Sequence, residues 1–386
     1  LSLNEWRQSR NNHRIKIQVR DIIMSNEQAV WDAFCEQLKA AGKVIMRDDL
    51  PTTAFDRAEG LRYMARLTKA GLDTFCELTG PKYPVFRPQA DMVKMGLDNP
   101  DNYYVGASIN AKYDYRIRGN RGSIHFLGFA AQAQNFAVRN KMLGGAGHLN
   151  HADMEIDSEG NFEIIASQRP HDGNWLQLGP ETSQILVRQS YLDKLKERPA
   201  TLSIECLQAD QAPPALDPQR IGQQLLQAAN YGTGCGHWFA DWVADMRHHA
   251  EENTLYLPSA ENHRAVGGDP EVRIYLGRWR LAADEGLLVT LMPPNCEYWN
   301  FQIANVWAES LDYRFQQVHV NSGSAVYKDD GSVEILVAAD TAESRRHVNW
   351  ISTAHHEHGI MGVRWVRADS HPQPQCRVVK LRDISL

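Results

Sequence analysis

Several features are scarce or missing in this chain, and each absence removes a class of protein. Its six cysteines, Cys35, Cys76, Cys206, Cys235, Cys296 and Cys376, lie far apart among 386 residues with no CxxC pair. That spacing excludes a zinc ribbon and argues against a disulfide framework, which leaves reduced thiols in a cytoplasmic setting. No apolar run approaches the roughly 20 residues that span a bilayer. The opening residues, LSLNEWRQSRNNHRIKIQVRDII, lack the apolar stretch of a secretory signal. The net charge of −6 comes with no basic stripe, so nucleic acid is not an expected partner. The GTGCG cluster at 232–236 has neither the spacing nor the preceding strand of a dinucleotide fingerprint. There is no HExxH, no Gly-x-Ser-x-Gly elbow, no low-complexity tract and no repeat of solenoid period. A covalent hydrolase is disfavoured, and neither an organic cofactor nor a resident metal is expected.

What is present is a globular composition, 43% hydrophobic and 23% charged, long enough for two packed cores or one elaborated one. Met24, followed by SNEQAVWDAF, has the look of a natural start with Ser25 or Asn26 as helix cap. Residues 1–23 then read as upstream sequence, or as an arm packing through Ile15, Ile17, Val19 and Ile22. Periodicity divides the rest. Val30, Phe34, Leu38 and Ala41 recur at helical spacing, as do Leu61, Met64, Leu67, Leu72 and Phe75. Pro81, Pro84 and Pro88 end that pattern. Short alternating segments follow to about residue 210, with a hairpin turn at Asp157–Gly160. Residues 218–252 return to helical spacing, read as two helices joined by a bend at Gly232, Gly234 and Gly236. Strand-like segments resume from about 270, with a second hairpin turn at Asp329–Gly331. The expected fold is therefore α+β: an antiparallel β-sandwich or jelly-roll-like core with an N-terminal helical region (1–84) and a helical insertion (211–269). Its two β-rich parts (85–210 and 270–386) are expected to pack as one core.

The densest chemistry lies in Asn295–Asn321, NCEYWNFQIANVWAESLDYRFQQVHVN. Acids and carboxamides interrupt its aromatic run too often for an ordinary core strand, because a buried polar group without a partner costs about 1–3 kcal/mol. The segment reads as a pocket lining, with Trp299, Asn300, Trp307, Tyr313 and Arg314 as substrate-binding candidates and Arg364 and Trp365 close by. His319 is a candidate general acid or base, since imidazole titrates near neutral pH; the alternative is a hydrogen-bonded histidine between sheets. Glu309 and Asp312 could divide acid and base roles; the alternative is an Asp312–Arg314 or Glu309–Arg364 ion pair that ties the fold. His355, His356 and His358 read best as an exposed polar turn, and His148 with His151 as a weak H-x2-H pair. A metal shared among His151, His319 and His356 is the minor alternative. Tyr298 and Trp175 add to aromatic faces that suit a ring-containing ligand.

Trp299 to Gln302, Glu309 to Arg314, His319 to Asn321, Asn349-Trp350 and Gly359 to Trp365 together resemble the bacterial family known as domain of unknown function 1214. The likeness covers roughly the last third of the chain, with DNYYVGASINAKYDYRIRGNRG and GNWLQLGPETSQILVRQSYLD extending it upstream. The resemblance implies a β-sandwich-like fold and a tendency to form a homo-oligomer, and little about chemistry. The functional expectation is an enzyme acting by acid–base chemistry on a small ring-containing or lipid-like metabolite. The alternative is a non-catalytic ligand-binding or assembly protein. A shared cavity holding His319 and a carboxylate would favour the first; aromatics on an open groove would favour the second.

Overall fold

In the computed structural model, residues 27–50, 53–77, 80–89, 93–134, 142–143, 146–210, 212–265 and 268–384 are described. The expectations for residues 1–23, for the start at Met24 and for a cap at Ser25 or Asn26 lie outside them.

Helix α1 (Glu27–Ala41) buries Val30, Phe34 and Ala41, the spacing its sequence shows. Helix α2 (Ala54–Phe75) starts at a reciprocal cap: Thr53 Oγ1 accepts from the Asp56 amide, and the Thr53 amide donates to Asp56 Oδ2. Helix α3 (Pro218–Asp245) is one continuous helix, which corrects the expected bend at Gly232–Gly236. Gly236 serves packing instead of turning. A Cβ on Gly236 would lie 3.0 Å from Met64 Sδ of α2, and one on Gly71 of α2 would lie 2.3 Å from the Ala228 carbonyl of α3. Bare backbone at these points lets α2 and α3 approach closely enough to make up for the low helix propensity of glycine. A short helix α4 (Ala260–Ala265) follows.

The first β stretch supplies β1 (Arg87–Pro88), β2 (Asn102–Ser108), β3 (Tyr115–Asn120), β4 (Phe126–Gln134), β5 (Met142–Leu143), β6 (His148–Asn150), β7 (Asn161–Ser167), β8 (Trp175–Gln177), β9 (Gln184–Ser190) and β10 (Thr201–Cys206). The second supplies β11 (Val272–Arg280), β12 (Glu285–Leu291), β13 (Tyr298–Ala304), β14 (His319–Asn321), β15 (Val333–Ala338), β16 (Trp350–Ser352), β17 (His358–Val366) and β18 (Gln375–Lys380). Both expected turns carry a glycine at positive φ, Gly160 (88°) and Gly331 (82°). The segment before the first, Asp153–Asp157, is not a strand.

Strand order reveals a duplication. In the first half, β2-β9-β4-β6 faces β10-β3-β7-β8; in the second, β11-β17-β13-β14 faces β18-β12-β15-β16. Each half has one parallel pair in the same place, β7 with β8 and β15 with β16. Register agrees as well. Gly128 pairs with both Arg188 and Asn150, and Asn300 pairs with both Arg364 and Asn321. Asn99-Pro100-Asp101 and Asp269-Pro270-Glu271 form the same side-chain turn before the first strand of each half.

The antiparallel sandwich, the N-terminal helical region and the helical insertion are as expected, but the single joint core is not. Among the described residues, strands pair only within their own half. Phe129, Ile164 and Val187 belong to one core, and Leu287, Val289, Trp299, Phe301, Ile335 and Trp365 to another. Each half closes a two-layer sandwich alone, burying one face of each sheet. A third cluster packs Tyr63, Leu67 and Phe239 of the helices against Val306, Trp307 and Ile360 of the second half. The halves meet at Phe126, Tyr298 and Val366.

Candidate functional site

Strand β13 explains the mixed chemistry of its sequence. All seven of its residues are buried, and side chains alternate between two faces. Trp299, Phe301 and Ile303 enter the second core. Tyr298, Asn300 and Gln302 face the loop that leads into β2 and grip it at successive points. Tyr298 OH donates to Asp101 Oδ2 at 2.5 Å, Asn300 Nδ2 to Asn99 Oδ1 at 2.8 Å and Gln302 Nε2 to the Asp98 carbonyl at 2.9 Å. This polar ladder latches the first half onto the second.

Beside the ladder, a cavity of about 970 Å³ opens in the seam between the halves, under α3. It lies within the size range of small-molecule sites, roughly 300–1,000 Å³. Tyr104, Arg188, Asp269, Ile274 and Arg364 contribute from the two sandwiches, and Tyr231, Trp238, Phe239 and Trp242 form an aromatic wall from α3. Arg364 is buried, and its contacts are all neutral: Leu97 O, Gln302 Oε1 at 2.5 Å and Asn300 Oδ1 at 3.4 Å. Among the described residues no carboxylate forms an ion pair with it. Burial pulls its pKa down, as expected for a cation away from water. Asp98 also lines the cavity and accepts from Ser310 Oγ and the Ser310 amide; burial pushes its carboxyl up, while Lys94, Ser310 and Arg364 act in the opposite direction, and it forms no ion pair with Arg364.

Of the sequence-predicted residues, Tyr298 and Arg364 line this cavity, while Trp299, Asn300, Trp307, Glu309, Asp312, Tyr313, Arg314, His319 and Trp365 are not part of its lining. Asn300 is one step behind it, in contact with Arg364. His319 Nε2 lies 2.9 Å from Asp101 Oδ1, the hydrogen-bonded arrangement between sheets. Glu309 pairs with Arg66 of α2 at 2.5 Å, not with Arg364, and burial raises its pKa. Asp312 and Arg314 form an exposed bidentate pair that lowers Asp312 to about 2. Trp299 and Trp365 stack edge-on in the second core, while Trp307 donates to the Asp56 carbonyl under α2. Tyr313 packs between Lys94 and Lys194, and Trp175 donates to Ser167 O within the first half.

The histidine turn is a correction. His355 and Glu357 are exposed, but His356 and His358 are buried against the acidic first turns of α2. His356 Nε2 meets Glu59 at 2.7 Å and His358 Nε2 meets Asp56 at 3.0 Å. Asn305 joins Glu59 to Glu309. Burial opposes the charged form of His356, but Glu59 outweighs it and raises the pKa. Ala354 and His355 both adopt left-handed backbone, which turns His356 inward. His151, His319 and His356 have separate partners, Glu297, Asp101 and Glu59. His148 faces Asp269. No group of three potential ligands suited to a metal occurs among the described residues, and no described helix is long and apolar enough to cross a membrane.

Sequence reasoning missed the cavity wall. Trp238 and Trp242, at i and i+4 with Phe239 beside them, lie in the helical segment 218–252 and were not singled out. Their excess over what one helix face needs to bury was the available signal.

The fold and cavity define a duplicated β-sandwich protein with a helical cover over an internal seam. The chain belongs to the family described as protein of unknown function (DUF1214), whose model matches residues 287–367, most of the second sandwich. Along nearly its whole length it is similar to an uncharacterized protein from Burkholderia cenocepacia of known crystal structure. The two are 38% identical with a TM-score of 0.88, over 94% of this chain and 99% of that one. The VPA0106 protein from Vibrio parahaemolyticus matches at 11% identity and a TM-score of 0.47, over 83% of this chain and 97% of its own. No curated protein matches.

Proposed function

We propose that the protein binds a small, largely apolar metabolite, ring-containing or lipid-like, that carries one anionic group, and that it does so in the seam cavity. The observation supporting this reading is Arg364, a buried guanidinium in the cavity wall held only by neutral acceptors. A buried charge is costly unless it is paired. A ligand carboxylate entering beside the amide groups would supply that pair, bidentately where geometry allows. The aromatic wall of α3 offers the apolar remainder a matching surface. The acid–base reading has less support, because His319, Glu309 and Asp312 reach no common cavity and each is engaged elsewhere. Binding without catalysis is therefore the preferred reading.

The test is fluorescence titration with a dansyl-labelled undecanoic acid and its uncharged primary amide. The expected result is saturable binding with the acid at least about tenfold tighter, the range of a charge-assisted hydrogen bond. In Arg364→Gln that preference disappears while the amide binds as before. Absence of binding, or a preference unchanged in Arg364→Gln, would overturn the reading.

A further inference from the structure

The duplicated halves differ at one polar station, and the difference bears on the ligand. Each half carries a His-x-Asn triplet on its short strand, His148–Asn150 on β6 and His319–Asn321 on β14. Each histidine reaches an aspartate in the segment leading into the first strand of the other half. The second-half histidine makes a closed station. Asp101 receives His319 at 2.9 Å, Asn321 Nδ2 at 2.9 Å and Tyr298 OH at 2.5 Å, and it does not line the cavity.

The first-half histidine makes an open one. Asp269 is 2% exposed and lines the cavity. Its Oδ1 accepts from the Glu271 amide at 3.0 Å, but its Oδ2 lies 3.8 Å from His148 Nδ1, too far for a hydrogen bond. His148 Nδ1 is buried with no hydrogen-bond partner among the described residues, as is His319 Nδ1, so the two stations differ at the carboxylate. The register explains what is missing. Asp269 stands where Asn99 does in the other turn, and Asn300, which donates to Asn99 Oδ1 at 2.8 Å, is matched by Gly128, so that donor has no counterpart in the first half. Burial raises the Asp269 carboxyl, but His148, Arg188 and the Glu271 amide outweigh it and hold the group below its usual range. It stands as an ionised acceptor facing the cavity.

We propose that a ligand hydroxyl completes this station, donating to Asp269 Oδ2 and accepting from His148 Nδ1. The ligand class is then a hydroxylated amphipathic acid, with its anionic group at Arg364 and its hydroxyl at Asp269. The inference rests on reading the cavity as the site of an anionic amphipath.

Two matched pairs of probes test it by calorimetric titration: lithocholic acid against cholanic acid, and ω-hydroxypalmitic acid against palmitic acid. Within each pair only a hydroxyl remote from the carboxylate differs. The wild-type protein is expected to favour the hydroxylated member of at least one pair by about tenfold or more, the range for a hydrogen bond to a charged group. Asp269→Asn, which keeps the oxygen that receives the Glu271 amide, is expected to reduce that ratio to below about threefold. His148→Gln is the second variant, and the ratio within each pair is the readout, because loss of the Asp269 charge shifts both acids of a pair together. Equal affinity within both pairs, or a preference that survives in both variants, overturns the hydroxyl station while leaving acid binding intact. If no acid binds at all, both this inference and the reading it rests on fail.

Discussion

The two sandwiches share strand order and register but use their polar residues differently. In the second half, Tyr298, Asn300 and Gln302 close onto the first half's lead-in loop, and Asp101 is fully engaged. In the first half, the corresponding strand positions are Phe126, Gly128 and Ala130, and Asp269 remains open to the cavity. One copy thus holds the halves together and the other leaves room between them. Duplication followed by such a division explains why the segment richest in polar side chains lies beside the cavity and lines it only through Tyr298.

If that contrast is real, removing the closed station should cost far more than altering the open one. Asp101→Ala strands His319, Asn321 and Tyr298 without their shared acceptor, and a loss of about 3–5 kcal/mol in urea unfolding is expected. Asp269→Asn keeps its amide contact and should change stability by less than about 1 kcal/mol. Equal losses would erase the distinction.

A second expectation concerns the contact between α2 and the second half. Glu59 is held below its ordinary 4.5, because His356 and Asn305 outweigh burial, while His356 is raised above its ordinary 6.5. The Glu59 contribution is present above about pH 4.5 and is lost as pH falls through its depressed folded value. The His356 contribution is present below about pH 6.5 and is lost as pH rises through its elevated folded value. Stability from this pair should therefore be greatest between those limits and decline on the alkaline side. Thermal unfolding from pH 5 to 9 checks this, and Glu59→Gln should flatten the alkaline decline. An unchanged slope in the variant would count against the pair.

A further substitution sharpens the comparison at one atom. Tyr298→Phe gives the second half the residue that the first half has at the matching position. It removes one of three donors to Asp101 and should cost about 1–3 kcal/mol, more than loss of a solvated hydroxyl and less than Asp101→Ala. A neutral result would mean that the phenol does not hold the loop.

Much of the fold was legible because periodicity is local. The stripes of α1 and α2, the proline break after them and the alternating strands follow from spacing alone. Features set by tertiary contact were not. Gly232–Gly236 read as a bend, because nothing local announces that Met64 of α2 packs there. His356 and His358 read as solvated, because their acidic partners lie some 300 positions earlier. The polar run of β13 was correctly read as unusual, yet its partners proved to be another stretch of the same chain. Arg364 and Tyr298 were the candidates that reached the cavity wall. The duplication left two traces, the HLN and HVN triplets and the two proline turns before β2 and β11, half a chain apart and outside any solenoid period.

The most direct test of the central claim is a crystal structure of the protein grown with saturating lithocholic acid. The steroid is expected in the seam under Trp238 and Trp242, with a carboxylate oxygen about 2.7–2.9 Å from the Arg364 guanidinium. An empty seam under those conditions, or the acid bound only on the outer surface, would contradict it.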